Sequence, residues 1–214
     1  MLSDSRPNNP NHYDSLYASE GCYWGTAPSS TCDRLLQVLR PKDDWRPKLL
    51  DLGCGEGRNA IYLAKHGFEV SGLDCSPNGL RKTQEYAKSV GLEVKTILAD
   101  IRDCRMEHGW DVIFSTGTMH YLSPSVREER FEHFKEVTTA GGLHVISVFV
   151  NKPFVPRAPD PDPDAYPFRS GELMGYYWDW EILFCAEEIF GCRSGGVPHK
   201  HAVNRIIAKK IAQT

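Results

Sequence analysis

The sequence has no cysteine pair of the kind that builds a metal knuckle or a redox motif. Its seven cysteines, at positions 22, 32, 54, 75, 104, 185 and 192, are odd in number and never spaced CxxC. That pattern argues against a disulfide framework and predicts thiols kept reduced in a cytoplasm. Long hydrophobic runs are missing as well. The longest, Leu143 to Val150, falls far short of the span a bilayer requires. The opening segment MLSDSRPNNPNHYDS is polar, so no secretory signal is expected. Excess positive charge is absent too. A formal net charge of -3 gives no electrostatic reason to expect a nucleic-acid or anionic-membrane partner. No internal repeat or heptad is visible.

What is present suits one globular domain. The chain has 214 residues, 41% hydrophobic and 25% charged, enough for a single full core. Residues 1–28 are rich in Asn, Pro, Ser and Tyr and read as an irregular arm; 29–214 read as the domain. Ser29 to Leu39 has helical spacing, with Leu35, Leu36 and Leu39 on one face. Strands are then expected at Pro47–Leu52, Phe68–Leu73, Glu93–Leu98, Asp111–Ser115 and Leu143–Val150. Helices are expected at Asn59–His66, Pro77–Val90 and Ser125–Thr138. Near-continuous apolar strands alternating with helices imply a parallel sheet covered on both faces. Residues 151–167, dense in Pro and Asp, are expected to form a loop. A short helix at Ser170–Tyr176 and strands at Glu181–Ala186 and Ala202–Ala208 complete the pattern. Late strands of this kind commonly pair antiparallel at a sheet edge.

The chemistry is concentrated in LLDLGCGEGRN, Leu49 to Asn59, followed by FEVSGLDCS, Phe68 to Ser76. A strand must turn sharply into a helix, and Gly53, Gly55 and Gly57 let the backbone approach a ligand closely. Asp74 ends the next strand, where a carboxylate can accept bonds from ribose hydroxyls. A dinucleotide site would read GxGxxG, but here the spacing is GxGxG and Arg58 stands where the third glycine would be. Asp51 precedes the loop, and a carboxylate there suits a cationic ligand better than a pyrophosphate.

With these residues the chain resembles the class I methyltransferases, whose first motif is a hydrophobic-Asp-hydrophobic-Gly-x-Gly-x-Gly run. The resemblance implies an α/β, Rossmann-like fold, a mostly parallel seven-stranded sheet with helices on both faces and an antiparallel edge strand. It also implies S-adenosylmethionine as cofactor, with S-adenosylhomocysteine as product. The cofactor residues it implies are Asp51, Gly53, Cys54, Gly55, Gly57, Arg58, Asn59, Asp74 and Cys75. Asp100 and Ile101, in LADIRD, match adenine contacts. Ser115, Thr116 and Gly117, in DVIFSTGTMHYL, match the strand end beside the methyl group.

The last third is similar to the tellurite-resistance methyltransferases. It carries FRSGELMGYYWDWEIL, Phe168 to Leu183, and GGVPHKHAVNRIIAKK, Gly195 to Lys210, and LGCGEGRN is close to that family's form of the first motif. That likeness implies a catalytic cluster of His199, Lys200 and Arg205 acting on tellurite, selenite or a small thiol, with Lys200 and Arg205 holding an oxyanion and His199 serving as a general base or as another anion donor. Tyr23, Trp24, His120 and Tyr177 are expected in the substrate pocket, His120 because it lies just past the fourth strand, and Tyr13, Tyr17, Tyr23 and Trp24 of the arm can fold over the cofactor. The Pro-Asp loop sits where a lid is expected. His199 and His201 form an HxH pair, but spacing indicates no third ligand and no metal is expected. The expected partner is a small-molecule acceptor, the chain being a monomer or homodimer. Methylation of an organic O or N acceptor, or cofactor binding without catalysis, are the competing functions.

Overall fold

The structure, a computed structural model, describes residues 11–42, 44–158, 162, 164–192 and 197–212. Seven strands form one sheet in the order β3-β2-β1-β4-β5-β7-β6. The strands are β1 (Lys48–Leu52), β2 (Glu69–Asp74), β3 (Lys95–Leu98), β4 (Trp110–Thr116), β5 (Thr138–Val150), β6 (Glu181–Cys192) and β7 (His199–Lys209). The first five pair in parallel, whereas β7 runs antiparallel to both β5 and β6. The antiparallel pairing is thus confined to one edge, as the sequence suggested.

Helices α2 (Ser30–Val38), α3 (Arg58–Lys65) and α4 (Pro77–Ser89) follow the arm, β1 and β2, with α5 (Arg127–Val137) and α6 (Glu172–Gly175) later. Local chemistry sets their starts. Ser76 caps α4 by accepting from the Gly79 amide at 2.9 Å, and Pro77 takes the first turn, where no amide hydrogen is needed. Ser29 caps α2 in the same manner.

One core lies between the sheet and α5–α6, built from Leu52, Ile113, Val148, Phe131 and Phe168. The other face buries Leu35, Ala60, Leu63, Phe68 and Val145. Strand order reverses between β1 and β4, and in open α/β sheets the crevice at such a switch point, beyond the carboxyl ends of the strands, takes the ligand.

Three elements depart from expectation. The arm is not wholly irregular, because Asn11–Tyr17 forms a helix, α1, held by its packing against α4. Strand β5 starts at Thr138 rather than Leu143, its first residue paired to Trp110 across a register shift. The β6–β7 hairpin is longer than the apolar pattern indicated, running to Cys192 and from His199. None of the helices among the described residues is long and apolar enough to cross a membrane.

Candidate active site

The glycine loop leaves β1 with its backbone in the left-handed region. Gly53 has φ +73°, and a Cβ there would lie 2.0 Å from Thr118 Oγ1, so no other residue fits without displacing the start of the turn after β4. Gly55 has φ +56° and lies beneath the Tyr17 ring. Its amide donates to Asp74 Oδ2 at 2.8 Å, while the Ser76 amide donates to Oδ1 at 2.9 Å. Both Asp74 oxygens are therefore aimed by backbone donors and retain lone pairs for a ligand hydroxyl. Burial raises the Asp74 pKa above the ordinary carboxylate range, against those amides.

Asp51 is 1% exposed, and its Oδ2 has no hydrogen-bond partner among the described residues. Burial, and then the neighbouring Asp74 charge, push its pKa up to about 7. An unpaired buried carboxylate oxygen is costly and calls for a donor. The ammonium group of an amino-acid ligand would supply one. An α-amino-acid end at Asp51 and a ribose at Asp74, spanning a loop cleared of side chains, fit S-adenosylmethionine.

The other expected cofactor residues divide by what they touch. Cys54 is buried and packs against Gly72, and burial pushes its thiol well above the usual range. Cys75 is exposed at the end of β2, with its thiol pushed up to about 11 by partial burial and by Asp74. Asn59 is already committed: its amide nitrogen donates to Thr116 Oγ1 at 2.9 Å, and its carbonyl accepts from the Ser29 amide at 2.9 Å. Arg58 donates to the Trp24 carbonyl at 3.3 Å. Ser115 is buried and donates to the Leu52 carbonyl at 3.0 Å, and the Gly117 amide bonds Ser147. These residues fix the frame of the crevice. Asp100 pairs with Arg102, whose hydrogen bonds outweigh burial and hold its pKa below the ordinary value, and Ile101 is buried beside it.

The arm is docked across this crevice. Asp14 accepts from Ser76 Oγ at 2.7 Å and from the Asn78 amide at 2.9 Å. Lys82 donates to the Ser19 and Gly21 carbonyls and pairs with Glu56 at 2.8 Å. Trp24 Nε1 donates to Tyr17 Oη at 3.1 Å; Tyr13 and Tyr121 hydroxyls meet at 2.6 Å, and Tyr121 donates to Asp162 at 2.7 Å. Tyr23 is exposed and stands edge-on to Trp24. The arm, the turn after β4 and the Pro-Asp loop thus meet in one aromatic cluster. Beneath it His120, in a 3-10 turn at Met119–Tyr121, is buried against Phe149 at 4.9 Å, and its Nδ1 has no partner among the described residues. Burial drives its pKa down to about 3, so the imidazole is neutral.

The expected trio does not come together. His199 and Arg205 share one face of β7, but six residues at about 3.4 Å each set them about 20 Å apart. Lys200 alternates to the opposite face and is exposed. Arg205 pairs with Glu188, which also accepts from Arg34 at 3.0 Å, so its side chain is held within the protein. Tyr177 does not line a pocket. It is wholly buried against Phe131 and Trp180, and its hydroxyl meets His144 Nδ1 at 2.8 Å. Its neighbours explain the FRSGELMGYYWDWE segment: buried Arg127 pairs with Glu172 at 2.5 Å and stacks over Phe168 at 3.7 Å, and Tyr176 stacks on Phe131 at 4.3 Å. The segment buttresses the loop over the crevice. Sequence reasoning missed Thr118, Tyr121, Asp162 and the Glu56–Lys82 pair, and TMHYL, already singled out for His120, held the signal for Tyr121.

The family model of the tellurite resistance protein TehB matches residues 26–206. This chain belongs to the TehB family. Among TehB relatives, a probable S-adenosyl-L-methionine-dependent methyltransferase TehB of Haemophilus influenzae is 34% identical over 136 residues, 64% of this chain and 46% of that protein. The crystal structure of TehB from Haemophilus influenzae superposes with a TM-score of 0.75 at 26% identity, covering 95% of this chain and 67% of that one. A 2-heptyl-1-hydroxyquinolin-4(1H)-one methyltransferase of Mycobacteroides abscessus is 30% identical over 134 residues, 61% of this chain and 58% of that protein. The chain spans about half the length of these curated relatives. Its fold is the Rossmann-like methyltransferase fold of TehB.

Proposed function

We propose that this chain is an S-adenosylmethionine-dependent methyltransferase acting on a small soft nucleophile: tellurite, selenite or a small thiol. The observation that carries the reading is the buried Asp51 carboxylate, its Oδ2 without a partner among the described residues, at the glycine loop whose Gly55 amide bonds Asp74, in a chain of the TehB family. Asp51 would hold the cofactor's amino group, Asp74 its ribose, and Asp100 with Ile101 its adenine. When bound, the cofactor supplies an electrophilic methyl group on a sulfonium.

The protein's own work is positioning and exclusion of water. Tyr13, Tyr17, Trp24 and Tyr121 lie together over the crevice, a cover that suits a small acceptor. Neutral His120, too weak a base to take a thiol proton, has an Nδ1 without a partner among the described residues and offers the acceptor a hydrogen bond there. Lys200 and Arg205 do not share this task, because one faces the other side of the sheet and the other is tied to Glu188. On this reading the protein acts in the cytoplasm on a small-molecule acceptor.

The similarity to a hydroxyquinolinone methyltransferase favours a second reading, an organic hydroxyl acceptor. Methyl-labelled cofactor incubated with tellurite, selenite, small thiols and hydroxyquinolinones separates the two. Volatile labelled products from the first three support the proposal; label found only in the heterocycle overturns it.

A further inference from the structure

We propose that Cys192, His199 and His201 form a zinc site with an open coordination position at the tip of the β6–β7 hairpin. Antiparallel pairing sets Cys192 directly opposite His199, and strand alternation puts His201 on the same face two residues on. One ligand atom from each residue, Cys Sγ and a nitrogen from each imidazole, lies within 4.8 Å of the others. All three side chains are partly buried, so the ion would be shielded yet reachable.

The hydrogen bonding independently points to a cation. His199 Nδ1 lies 2.7 Å from the Val197 carbonyl. A carbonyl can only accept, so Nδ1 carries the proton and Nε2 presents its lone pair. That is the arrangement by which a metal-bound histidine is oriented through its other ring nitrogen. The lone pair faces His201 Nε2 at 2.8 Å. Two imidazole nitrogens turned towards each other can share one proton between them or one metal ion. The His201 ring is held in place between Phe149 at 4.8 Å and Phe190 at 5.7 Å.

One thiolate and two imidazoles make a borderline-soft donor set that suits zinc rather than magnesium or calcium. Zinc–nitrogen bonds of about 2.0 Å and a zinc–sulfur bond of about 2.3 Å place tetrahedral ligand atoms roughly 3.3 to 3.6 Å apart. The two nitrogens must open by about half an ångström and the sulfur must close on them, within the reach of side-chain rotation. Three protein ligands leave a fourth position for water or a small anion. Phe149 touches both His201 and His120, so that position lies one aromatic ring from the proposed acceptor pocket. The site stands or falls independently of methyl transfer.

The test is cobalt substitution in the reduced, chelator-stripped full chain. One equivalent of cobalt should give the near-ultraviolet thiolate-to-cobalt band and the intense visible bands of four-coordination, both erased by one equivalent of zinc. Cys192→Ser should lose the thiolate band and His201→Ala the stoichiometric binding, whereas Cys185→Ser, on the same hairpin, should keep both. Zinc X-ray absorption of the unaltered chain needs no variant and should show one sulfur and two imidazole nitrogens. Absence of stoichiometric cobalt, a sulfur-free spectrum, or a thiolate band that survives Cys192→Ser would overturn the assignment.

Discussion

Replacing Asp51 by Asn should make the ligand-free protein more stable and the cofactor complex weaker. Asp51 is buried, and its Oδ2 lacks a partner among the described residues. Its pKa of about 7, raised first by burial and then by Asp74, compares with an ordinary aspartate value of 3.8. Between those values the native state retains a proton that the unfolded chain has released, so stability falls as pH rises. Each tenfold step in the proton equilibrium is worth about 1.4 kcal/mol, so the penalty grows to about 4 kcal/mol above pH 7 and vanishes below about pH 4. Asp51→Asn keeps the shape and removes the ionisation. At about pH 8 the ligand-free variant should exceed the wild type by up to about 4 kcal/mol, an advantage that shrinks steadily as the pH is lowered. Cofactor binding moves the other way. A hydrogen bond to a charged partner contributes about 1.5–3 kcal/mol, so affinity for S-adenosylhomocysteine should fall by roughly 10- to 150-fold. Urea denaturation of both proteins across this pH range measures the first effect. Titration calorimetry in buffers of different ionisation enthalpy measures the second, and counts the proton that ligand binding displaces from wild-type Asp51. Parallel stability–pH curves for the two proteins, or unchanged affinity in the variant, would refute the reasoning.

Arg127→Ala removes a buried guanidinium that pairs with Glu172 and bonds the Leu122 carbonyl at 3.0 Å; chemical denaturation should show a loss of about 3–5 kcal/mol, and a loss below about 1 kcal/mol contradicts the buttress. Tyr177→Phe leaves His144 Nδ1 without its hydroxyl partner and should cost about 1–3 kcal/mol of stability. Turnover of the folded variant should stay within twofold, whereas a selective change in KM for the acceptor would return Tyr177 to the pocket. His120→Gln should lower kcat for a thiol less than about tenfold, because an imidazole with a pKa of about 3 takes up little of the thiol's proton; a loss of about 100-fold or more would make it the base. With its pKa lowered by burial to about 3 in the fold, His120 takes up a proton in the unfolded chain first. Its contribution to stability is complete above about pH 6.5 and lost as pH falls towards 3, and the Gln variant should lack that part of the acid sensitivity.

Spacing made the first half of the molecule legible. Three glycines, the acids on either side and the period of the strands are local signals, and Asp51, Gly53, Gly55 and Asp74 stand as that pattern required. The acceptor end was harder because its residues converge from distant segments. Tyr13, Tyr121 and Asp162 meet only after the arm crosses the sheet. The tellurite-resistance resemblance transferred identities but not orientations: strand alternation turns Lys200 away from His199, and Glu188 takes up Arg205. Tyr177 looked like pocket lining by its place in a motif, yet the motif serves packing around Arg127 and His144. Cys192 was invisible as a neighbour of His199 because only hairpin register brings them together.

The most direct measurement is a crystal structure of the chain with S-adenosylhomocysteine. The ligand's amino group should lie against Asp51 and its ribose against Asp74, with its sulfur facing the space beneath Tyr13, Trp24 and His120. A ligand bound elsewhere, or one in this crevice that leaves the Asp51 carboxylate unpaired, would contradict the account.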